Sequence, residues 1–579
     1  MTHHDLAGRT RARLTPLAIG LALALSANLA QAEQHHPRAT PRHLVDHQHH
    51  PLTRVTSLKE RLRANPVTAE KLAQKRTKAL AGRIKHQAHV LARVSPPNRP
   101  AATLPVTNCL DDGSPGTLRS VVNGAASGDV VDLSGLVCSS ITLTSGAIIT
   151  PQTDLTLRGP ASGALTISAG NTSRVIENYV GGGGAIDTNL TIENLTIANG
   201  LYDGYSLGAY FSSGGCIITT GNVTLTNSTV TGCEAYGKYA AGGAVYANNI
   251  TMTGSTVSNS TAHASFKYYS GYYYLTPALG GGTYSIADSQ ITNSTVTANT
   301  AEAYVPGYSY GQGGGVYGRG RVSITSSEIS SNTADVGGAA LSALSAGGGA
   351  GNRPAGNASA VTLLNSTVSG NTALLGGGGI VAFNLPAQVI SSTVTANNGG
   401  ALGGGGFIDL HDATSYGSSE LNGSIIALNG AAGSRYDADV GVYYDGTAFV
   451  GANNLVIAAA TGGNGATPVL PAGTLNANPL LGALANNGGR SRTHALQPGS
   501  PAIDTGNNVA GQATDQRGTG FARSSGAAPD IGAFEVQAAA PLVIREVPTL
   551  SQWAMAALAG LLTWVGWRSQ RRQGAMRRR

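Results

Sequence analysis

The strongest constraint on the fold of this 579-residue chain is a phrase that returns along its length. It reads LLNSTVSGNTALLGGGGI at 363–380, and variants of it are ITNSTVTANTA (291–301), ITSSEISSNTA (324–334), VISSTVTANNG (389–399) and LNGSIIALNG (421–430). Short runs rich in Val, Ile and Thr, separated by Asn and Gly, are typical of β-strands joined by tight turns. A unit this small cannot bury its apolar face alone, so the repetition predicts a stack of coils.

The repeats align on a β-branched centre and share a second position three residues later. The centres are Val230, Val257, Val296, Ile329, Val368, Val394 and Ile426. The later positions are Cys233, Ser260, Asn299, Asn332, Asn371, Asn397 and Asn429. Asn tolerates the left-handed backbone of a sharp bend, and stacked Asn side chains can form hydrogen bonds along a column. We therefore expect an Asn ladder at a bend of the coil.

The spacing of the repeats distinguishes a parallel β-helix from a β-propeller. Most repeats open with a Gly cluster, and the centres lie 26–39 residues apart. Three short strands and three turns fit into 23 residues, the distance from Gly314 to Gly337, and longer repeats would carry loops. A propeller blade needs about 40 residues and four strands. The pattern therefore predicts an all-β fold, a parallel β-helix with coils about 4.8 Å apart.

The repeat region resembles the right-handed parallel β-helix family of bacterial surface proteins and pectate-lyase-like enzymes. Residues 108–135 resemble the entry segment of these surface proteins; Leu118 and Arg119 match its Leu-Arg core, whereas Ser120 departs from the usual acidic residue. Three segments, 496–507, 514–518 and 529–535, resemble the closing region of choice-of-anchor β-helix proteins.

The closing region is also rich in charged residues, namely Asp504, Asp515, Arg517, Asp530 and Glu535. They can be interpreted as a catalytic cluster. Hydrogen-bonded loops and a salt bridge that cap the solenoid are the simpler interpretation.

The N-terminus predicts export. Three arginines (Arg9, Arg11, Arg13) precede the apolar run Leu17–Ala30 and the small-x-small site Ala30–Ala32, the layout of a secretory signal peptide over 1–32. Residues 33–100 form a basic, His-rich leader, expected to be disordered with a basic amphipathic helix between Pro66 and Val94. The body, 101–540, holds 13 Lys and Arg against 24 Asp and Glu, so nothing in its charge favours nucleic-acid binding.

Export makes disulfides possible in a chain with four cysteines. Four cysteines allow three pairings. We favour the pairings that are local in sequence, Cys109 with Cys138 and Cys216 with Cys233. No CxxC motif or neighbouring Cys/His pair is present, so a metal site is not predicted and no cofactor is implied.

The C-terminal segment 541–579 has three parts: the motif Val547–Trp553, the apolar stretch Trp553–Trp567 and an Arg-rich tail over 568–579. Trp and Arg flanks favour a single membrane-spanning helix with the body outside, although the stretch is shorter than the usual 20 or so residues. The tail resembles the IPTL-CTERM sorting signal of Gram-negative bacteria, matched by Pro548, Thr549, Leu550, Ser551 and Trp553. Two residues depart from the family pattern: Val547 replaces the usual Ile, and Ala554 replaces the usual Gly. The resemblance implies an envelope or surface location and recognition by an envelope sorting enzyme.

Candidate catalytic residues are few. The acids of the coils are thinly spread: Glu193, Asp203, Glu234, Asp288, Glu302, Glu328 and Asp335. The densest group is FIDLHDA at 407–413. If Ile408 and Leu410 point inward, alternation turns Asp409 and His411 to solvent, with Asp412 beside them. This is the one candidate acid–base group, and lone Asp/His pairs on exposed strands are common.

Tyrosines are concentrated in one part of the chain. Fifteen of 21 lie between 202 and 310, where insertions at one phase of successive coils should stack on one side. We predict a ligand-binding patch there, represented by Tyr202, Tyr205, Tyr269, Tyr273, Tyr308 and Tyr310. A Tyr ring offers a flat apolar face and a hydroxyl to a sugar or a protein surface. The alternative is that these rings only cover the coils.

Two functions remain open from the sequence. The first is a non-catalytic surface protein for adhesion or for binding a glycan or matrix. The second is a pectate-lyase-like polysaccharide lyase or a glycoside hydrolase on the same scaffold. A group of carboxylates with a basic residue on adjacent coils would favour the enzyme. The sequence offers only 407–413, so we favour the first.

Overall fold

The computed structural model describes part of the chain. The described ranges are 100–163, 165–178, 188–207, 209–265, 277–304, 311–336, 338–344, 361–375, 377–383, 386–399, 405–410, 418–430, 439–442, 448–460, 468–538 and 552–576. The predicted signal peptide and almost all of the leader lie outside them.

Three long parallel sheets form the wall of a solenoid, which confirms the predicted β-helix. Sheet 1 has the strands Thr103–Pro105, Val130–Asp132, Asp154–Arg158, Asn189–Glu193, Asn222–Thr226, Asn249–Thr253, Ser289–Thr292, Val322–Thr325, Val361–Leu364, Ala387–Ile390, Glu420–Asn422 and Val450–Ala452. Sheet 2 has Ser140–Thr142, Leu165–Ser168, Leu195–Ala198, Thr229–Thr231, Thr256–Ser258, Thr295–Thr297, Glu328–Ser330, Thr367–Ser369, Thr393–Thr395, Ile425–Ala427 and Leu455–Val456. Sheet 3 has Ile148–Ile149, Ile176–Asn178, Ile217–Thr219, Val245–Ala247, Thr283–Ser285, Val316–Gly318, Leu341–Leu344, Ile380–Phe383, Phe407–Leu410, Val440–Val442 and Ala459–Ala460.

Two shorter parallel sheets project from the wall, and together we call them the flange. Sheet 4 has Leu201–Asp203, Glu234–Gly237, Thr261–Ser265, Thr300–Tyr304, Thr333–Val336 and Thr372–Leu375. Sheet 5 has Phe211–Ser213, Tyr239–Ala241, Ala278–Leu279 and Gly311–Gln312. The chain leaves sheet 2, runs out along sheet 4 and returns along sheet 5 to sheet 3. Small side chains let the two layers pack closely, and the buried ones are Ala240, Ala262, Ala264, Ala278, Ala301 and Ala303.

The core of the solenoid consists of the inward half of each alternating strand. Val223 and Leu225 of sheet 1 and Val230 of sheet 2 are fully buried with their counterparts on other coils in one continuous cluster. Equivalent residues pair in register, for example Val230 with Val257 and Val257 with Val296. The β-branched centres chosen from the sequence are therefore the inward residues of sheet 2.

The predicted Asn ladder is present beside sheet 2. The Nδ2 atoms of Asn299, Asn332, Asn371 and Asn397 each donate to Oδ1 of the next Asn at 2.8–3.0 Å, and Asn429 donates to Asp439. The left-handed residue of this bend is, however, the one before each Asn, such as Ala298 (φ 55°). Our assignment of that conformation to the Asn itself is wrong, because the Asn side chain turns inward to satisfy the column instead.

A second polar column, which the sequence reading missed, lies at the other edge of sheet 2. It consists of seven serines whose Oγ atoms form hydrogen bonds with the backbone. For example, Oγ of Ser255 donates to the carbonyl of Thr253 and accepts the backbone N–H of Ser228, on the preceding coil, at 3.1 Å. They are Ser228, Ser255, Ser294, Ser327, Ser366, Ser392 and Ser424, all buried. Between them, the Ser and Asn columns satisfy buried backbone groups at both edges of sheet 2 in the coils that carry them.

The Gly clusters mark the corner between the flange and sheet 3. Gly242 has φ 61° there, and a Cβ on Gly243 would lie 2.1 Å from the carbonyl oxygen of Gly281 on the next coil. Only a residue without a side chain lets successive backbones stack this closely.

A short helix, Leu118–Gly124, covers the first coils. Leu118 and Val122 are buried against the core, and Arg119 pairs with Asp111 at 2.8 Å. Cys109 is bonded to Cys138 near this cap, and Cys216 to Cys233, so both predicted disulfide pairings are confirmed.

Residues 481–536, which we call the strap, begin with the antiparallel strands Leu481–Ala485 and Thr493–Leu496 and lie along the side of the solenoid. The strap contacts outward side chains of sheet 2: Arg492 pairs with Glu328 at 2.5 Å, and Gln516 accepts from Thr367 at 2.6 Å. The closing region therefore covers the outer face of sheet 2, which the sequence did not indicate.

Residues 537–579 form a separate unit that contains the helix Gln552–Met576. We predicted a membrane-spanning segment over 553–567. That prediction needs correction: within the residues the structure describes, no helix is both long and apolar enough to cross a membrane. The apolar run ends at Trp567 because Arg568 begins the basic tail.

Candidate functional site

Two groups of described tyrosines in the repeat region form clusters of three rings. Tyr246, Tyr284 and Tyr317 stack on one another, with ring centroids 5.1 and 5.3 Å apart and nearly parallel planes. They pack with Ala241 and Leu279 of sheet 5 on the outer side of sheet 3. Burial raises the pKa of Tyr284 to about 12. These rings cover the coils, as the alternative interpretation predicted.

The second group lies on the outer side of sheet 5 and forms what we call the aromatic patch: Tyr210, Phe211 and Tyr239. Tyr210 is 50% exposed and Phe211 56%. Their centroids lie 5.3 Å apart, and each lies within 5.0 Å of the Tyr239 ring. Lys238 lies over Tyr210 at 5.5 Å. Burial is the main cause that raises the pKa of Tyr239, and its hydrogen bond with Tyr210 adds to the shift. The Tyr239 hydroxyl therefore stays protonated.

Tyr205 lies beside Tyr236, with ring centroids 5.7 Å apart, at the outer face of sheet 4. The ring of Tyr202 lies beneath the guanidinium of Arg174, at 3.4 Å, and Arg174 pairs with the buried Glu177. Tyr269, Tyr273, Tyr308 and Tyr310 lie outside the described residues. The aromatic patch therefore consists of rings that we had not selected, and a binding role for the six selected tyrosines stays a prediction.

A column of titratable side chains continues from Tyr236 along the outer face of sheet 4. The register pairs Tyr236 with His263 and His263 with Glu302. It pairs Ala301 with Ala334, which puts Glu302 beside Asp335. We call Tyr236, His263, Glu302 and Asp335 the sheet-4 column. The sequence reading missed it because its members lie 27, 39 and 33 residues apart.

The contacts within the column are specific. Nδ1 of His263 lies 2.9 Å from Oε1 of Glu302, and the His263 ring meets the Tyr236 ring edge-on at 5.0 Å. Asp335 Oδ2 accepts from the backbone N–H of Ala303 at 2.5 Å. The side chain of Glu302 is 47% exposed, whereas Asp335 is only 8% exposed. The column therefore opens to solvent at Glu302.

The two carboxyl groups have opposite pKa shifts. The hydrogen bond from His263 lowers the pKa of Glu302. Burial raises the pKa of Asp335 to about 7, and the charge of Glu302 adds to this. Burial alone would lower the pKa of His263, but Glu302, Glu234 and Asp335 raise it above its usual value. A carboxyl group with a lowered pKa, an imidazole with a raised pKa and a carboxyl group that titrates near neutrality thus lie side by side.

The acid–base group predicted at 407–413 has a different geometry. Asp409 is 1% exposed, and its Oδ2 accepts from Ser419 at 2.6 Å. Phe407, two residues earlier on the same strand, faces the core, while Ile408 packs on the outside against the stacked tyrosines. Asp409 therefore shares the inward face of the strand with Phe407, and its predicted solvent-facing orientation is wrong. Ile408 can point outward instead, because the stacked tyrosines cover the outer face here. His411 and Asp412 lie outside the described residues.

The charged residues of the closing region form buried hydrogen bonds. Arg517 pairs with Asp515 at 2.6 Å and lies between the rings of Phe521 and Phe534. Glu535 accepts from the backbone N–H groups of Ser525 and Asp530, and burial raises its pKa to about 7. Asp504 donates its backbone N–H to Asp530 at 2.8 Å. These contacts support the structural interpretation of this cluster.

Comparison with known proteins shows a sorting motif in the tail and a solved structure similar to the body. Residues 547–572 match the IPTL-CTERM motif, in agreement with the tail's sequence pattern. No curated protein matches the chain. A crystal structure of pectate lyase Pel9A is similar over 76% of this chain and 97% of that chain, with 12% identity and a TM-score of 0.35. The β-helical fold is established by the parallel register of the three long sheets.

The IPTL-CTERM motif implies export and C-terminal sorting to the cell surface. The chain thus combines a parallel β-helical body with an IPTL-CTERM sorting motif.

Proposed function

We propose that this surface-sorted protein binds polysaccharide through the aromatic patch on its flange. One observation supports this most directly: Tyr210 and Phe211, half-exposed, lie together with Tyr239 within 5.3 Å of one another. Large aromatic rings left in contact with water on a monomer's surface are typical of binding sites. Flat rings with hydroxyl groups at their edges can stack on sugar rings and form hydrogen bonds with them.

The charge of the flange and of the whole body indicates the kind of glycan. Asp203, Glu234, Glu302 and Asp335 lie on sheet 4, and among the described residues Lys238, His263 and Arg174 are basic side chains on the flange or against it. The body as a whole has 24 acidic and 13 basic residues. Like charges repel a polyanion. We therefore expect neutral or amino-bearing polysaccharides to bind better than uronate-rich ones.

The test is binding of the purified full chain to a neutral β-glucan, to chitosan and to polygalacturonate, measured by affinity electrophoresis and calorimetry. The double variant Tyr210→Ser/Phe211→Ser should weaken binding at least tenfold, as expected when buried aromatic contacts are lost. Val450→Ser is the matched control, because Val450 is equally exposed (51%) but lies on sheet 1. Equal binding by both variants would contradict the proposal.

We propose further that the C-terminal tail is recognised by an envelope sorting enzyme. The matched motif at 547–572 supports this. Intact mass of the protein recovered from the cell surface tests whether the tail is removed, and Pro548→Ala/Thr549→Ala should leave the protein unsorted.

A further inference from the structure

The sheet-4 column and the aromatic patch lie on opposite faces of one two-layer flange. His263 projects outward from sheet 4 between Ala262 and Ala264, and these two alanines are buried in one cluster with Ala240 of sheet 5. Ala240 directly follows Tyr239, one of the three rings of the patch. Because small side chains separate the two layers, the position of the patch depends on the packing of sheet 4 behind it.

Two carboxyl groups occupy adjacent positions of the column. Glu302 and Asp335 lie side by side on neighbouring strands, as the pairing of Ala301 with Ala334 shows. Oδ2 of Asp335 accepts the backbone N–H of Ala303 at 2.5 Å, and the residue is only 8% exposed. Like charges at neighbouring positions destabilise a sheet, and burial disfavours a charged carboxylate. Ionisation of Asp335 therefore opposes the packing of sheet 4 in two ways.

We propose that the sheet-4 column is a pH-sensitive switch that keeps the flange ordered at mildly acidic pH and loosens it above neutrality. The switch regulates glycan binding by the patch, and this part of the inference rests on the function proposed above. Nδ1 of His263 lies 2.9 Å from Oε1 of Glu302. As the pH rises, His263 loses its positive charge and Asp335 gains a negative one. Attraction to the Glu302 carboxylate thus gives way to repulsion.

Both titrations act in the same direction. Burial raises the pKa of Asp335 to about 7, and the charge of Glu302 adds to the shift, whereas an Asp in an unfolded chain has a pKa of about 3.9. The folded flange keeps a proton that the unfolded chain has lost, so its stability falls as the pH rises towards about 7. Burial opposes a raised pKa of His263, but its hydrogen bond with Glu302 outweighs burial. The stabilisation from His263 is present below about pH 6.5 and is also lost as the pH rises.

The other groups around the column do not reverse this direction. Glu234, on the same face of sheet 4, adds to the raised pKa of His263. Burial raises the pKa of Tyr236, so its ring stays uncharged near neutral pH, and a lowered pKa keeps Glu302 ionised there. Lys238 lies over the aromatic patch, on the other face. The strands packed against that of Asp335 add no charge; they are Thr372–Leu375 of sheet 4 and Gly311–Gln312 of sheet 5.

Hydrogen exchange over 261–265 and 300–304 of the purified full chain, corrected for intrinsic rates, measures the switch at pH 6 and pH 8. Wild-type exchange should be about tenfold faster at pH 8, because an acid with a pKa of about 7 loses most of its proton between these values. Asp335→Asn keeps an acceptor for Ala303 but does not titrate, so its exchange should change much less. Asp288→Asn, the matched control, alters a half-exposed carboxylate outside the flange and should keep the tenfold change.

Binding of the same samples to a neutral β-glucan, whose charge does not change with pH, is measured by calorimetry. Wild-type affinity should fall from pH 6 to pH 8, by up to the same tenfold, because only the ordered flange presents the patch. Asp335→Asn should bind at pH 8 as the wild-type protein does at pH 6.

Equal wild-type exchange at the two pH values would overturn the switch, and so would an unchanged tenfold response in Asp335→Asn. Exchange that depends on pH, with binding that does not, would overturn the control of the patch and leave the proposed function intact. Absence of binding at both pH values would overturn the proposed function, while the exchange data would still decide whether the column is a switch.

Discussion

Nδ2 of Asn371 lies 2.8 Å from Oδ1 of Asn397 on the next coil, deep in the solenoid. Oδ1 of Asn371 in turn accepts the side-chain and backbone N–H groups of Asn332 at 3.0 and 2.9 Å. Each Asn of the ladder therefore satisfies buried polar groups of two coils at once. This arrangement turns one repeated residue into a continuous column of hydrogen bonds.

Replacing Asn371 with Ala should lower the free energy of unfolding by about 2–4 kcal/mol, because buried donors of Asn332 lose their acceptor. The measurement is urea denaturation followed by circular dichroism. Asn189→Ala is the control, since Asn189 forms an equivalent contact with Asn222 (2.8 Å) on the exposed face of sheet 1. That variant should lose less than about 0.5 kcal/mol. Similar losses in both would show that the buried column adds no stability.

The sequence alone predicted the solenoid because the inward residues repeat. Val230, Val257 and Val296 recur in a recognisable setting, and each lies directly above the next in sheet 2. The orientation of Asp409 could not be obtained in the same way. Alternation gives two faces, but which face is covered depends on the flange, and the flange depends on contacts between distant coils.

The sheet-4 column carried a signal that the sequence reading overlooked. His263, Glu302 and Asp335 each follow a Thr-Ala pair. The three pairs lie at 261–262, 300–301 and 333–334. Aligning those pairs, as we aligned the β-branched centres, would have placed the three side chains in one column. Their pKa shifts could not be predicted from the sequence, because burial and the contacts between these side chains decide them.

The strap should depend on the ion pair between Arg492 and Glu328. Glu328 is almost fully buried and accepts from the backbone N–H and the guanidinium of Arg492. Arg492→Ala leaves a buried carboxylate without its cation, a change that typically costs about 3–5 kcal/mol. We expect undocking of the strap, seen as faster hydrogen exchange over 481–496 and new protease cleavage there.

The exposed pair between Arg321 and Asp288 is the matched control for that variant. Its atoms lie 3.9 Å apart and both side chains are about half-exposed. Pairs of this kind contribute about 0–1 kcal/mol. Arg321→Ala should therefore leave exchange over 481–496 unchanged, and a strap that stays protected in Arg492→Ala would contradict the role given to Glu328.

The two disulfides should stabilise the N-terminal half of the solenoid. Cys216 and Cys233 are 17 residues apart, and closing a loop of about this length contributes about 3 kcal/mol in the chain-entropy description. The double variant Cys216→Ser/Cys233→Ser should lose about that much in urea denaturation. Thiol titration of the unfolded, unreduced protein should find no free thiol, and four after reduction. Two free thiols before reduction would contradict one of the pairings.

His494 should make docking of the strap sensitive to acid. A carbonyl oxygen can only accept, so Nδ1–H of His494 donates to Gly482 at 2.7 Å, and in the neutral ring Nε2 accepts from the hydroxyl of Ser369 at 2.8 Å. Burial lowers the pKa of His494 below its usual value. The unfolded segment therefore binds a proton more readily than the docked one. The stabilisation from His494 is present above about pH 6.5 and is lost as the pH falls.

Hydrogen exchange over 481–496, corrected for intrinsic rates, is the measurement for this prediction. Protection should be lower at pH 5.5 than at pH 7.5 in the wild-type protein. His494→Gln keeps a donor and an acceptor but does not titrate, so its protection should not change with pH. A local measurement is needed because Glu535, with a pKa raised to about 7, stabilises the folded chain as the pH falls and opposes His494 in global unfolding. Equal pH dependence in both proteins would show that His494 does not control the strap.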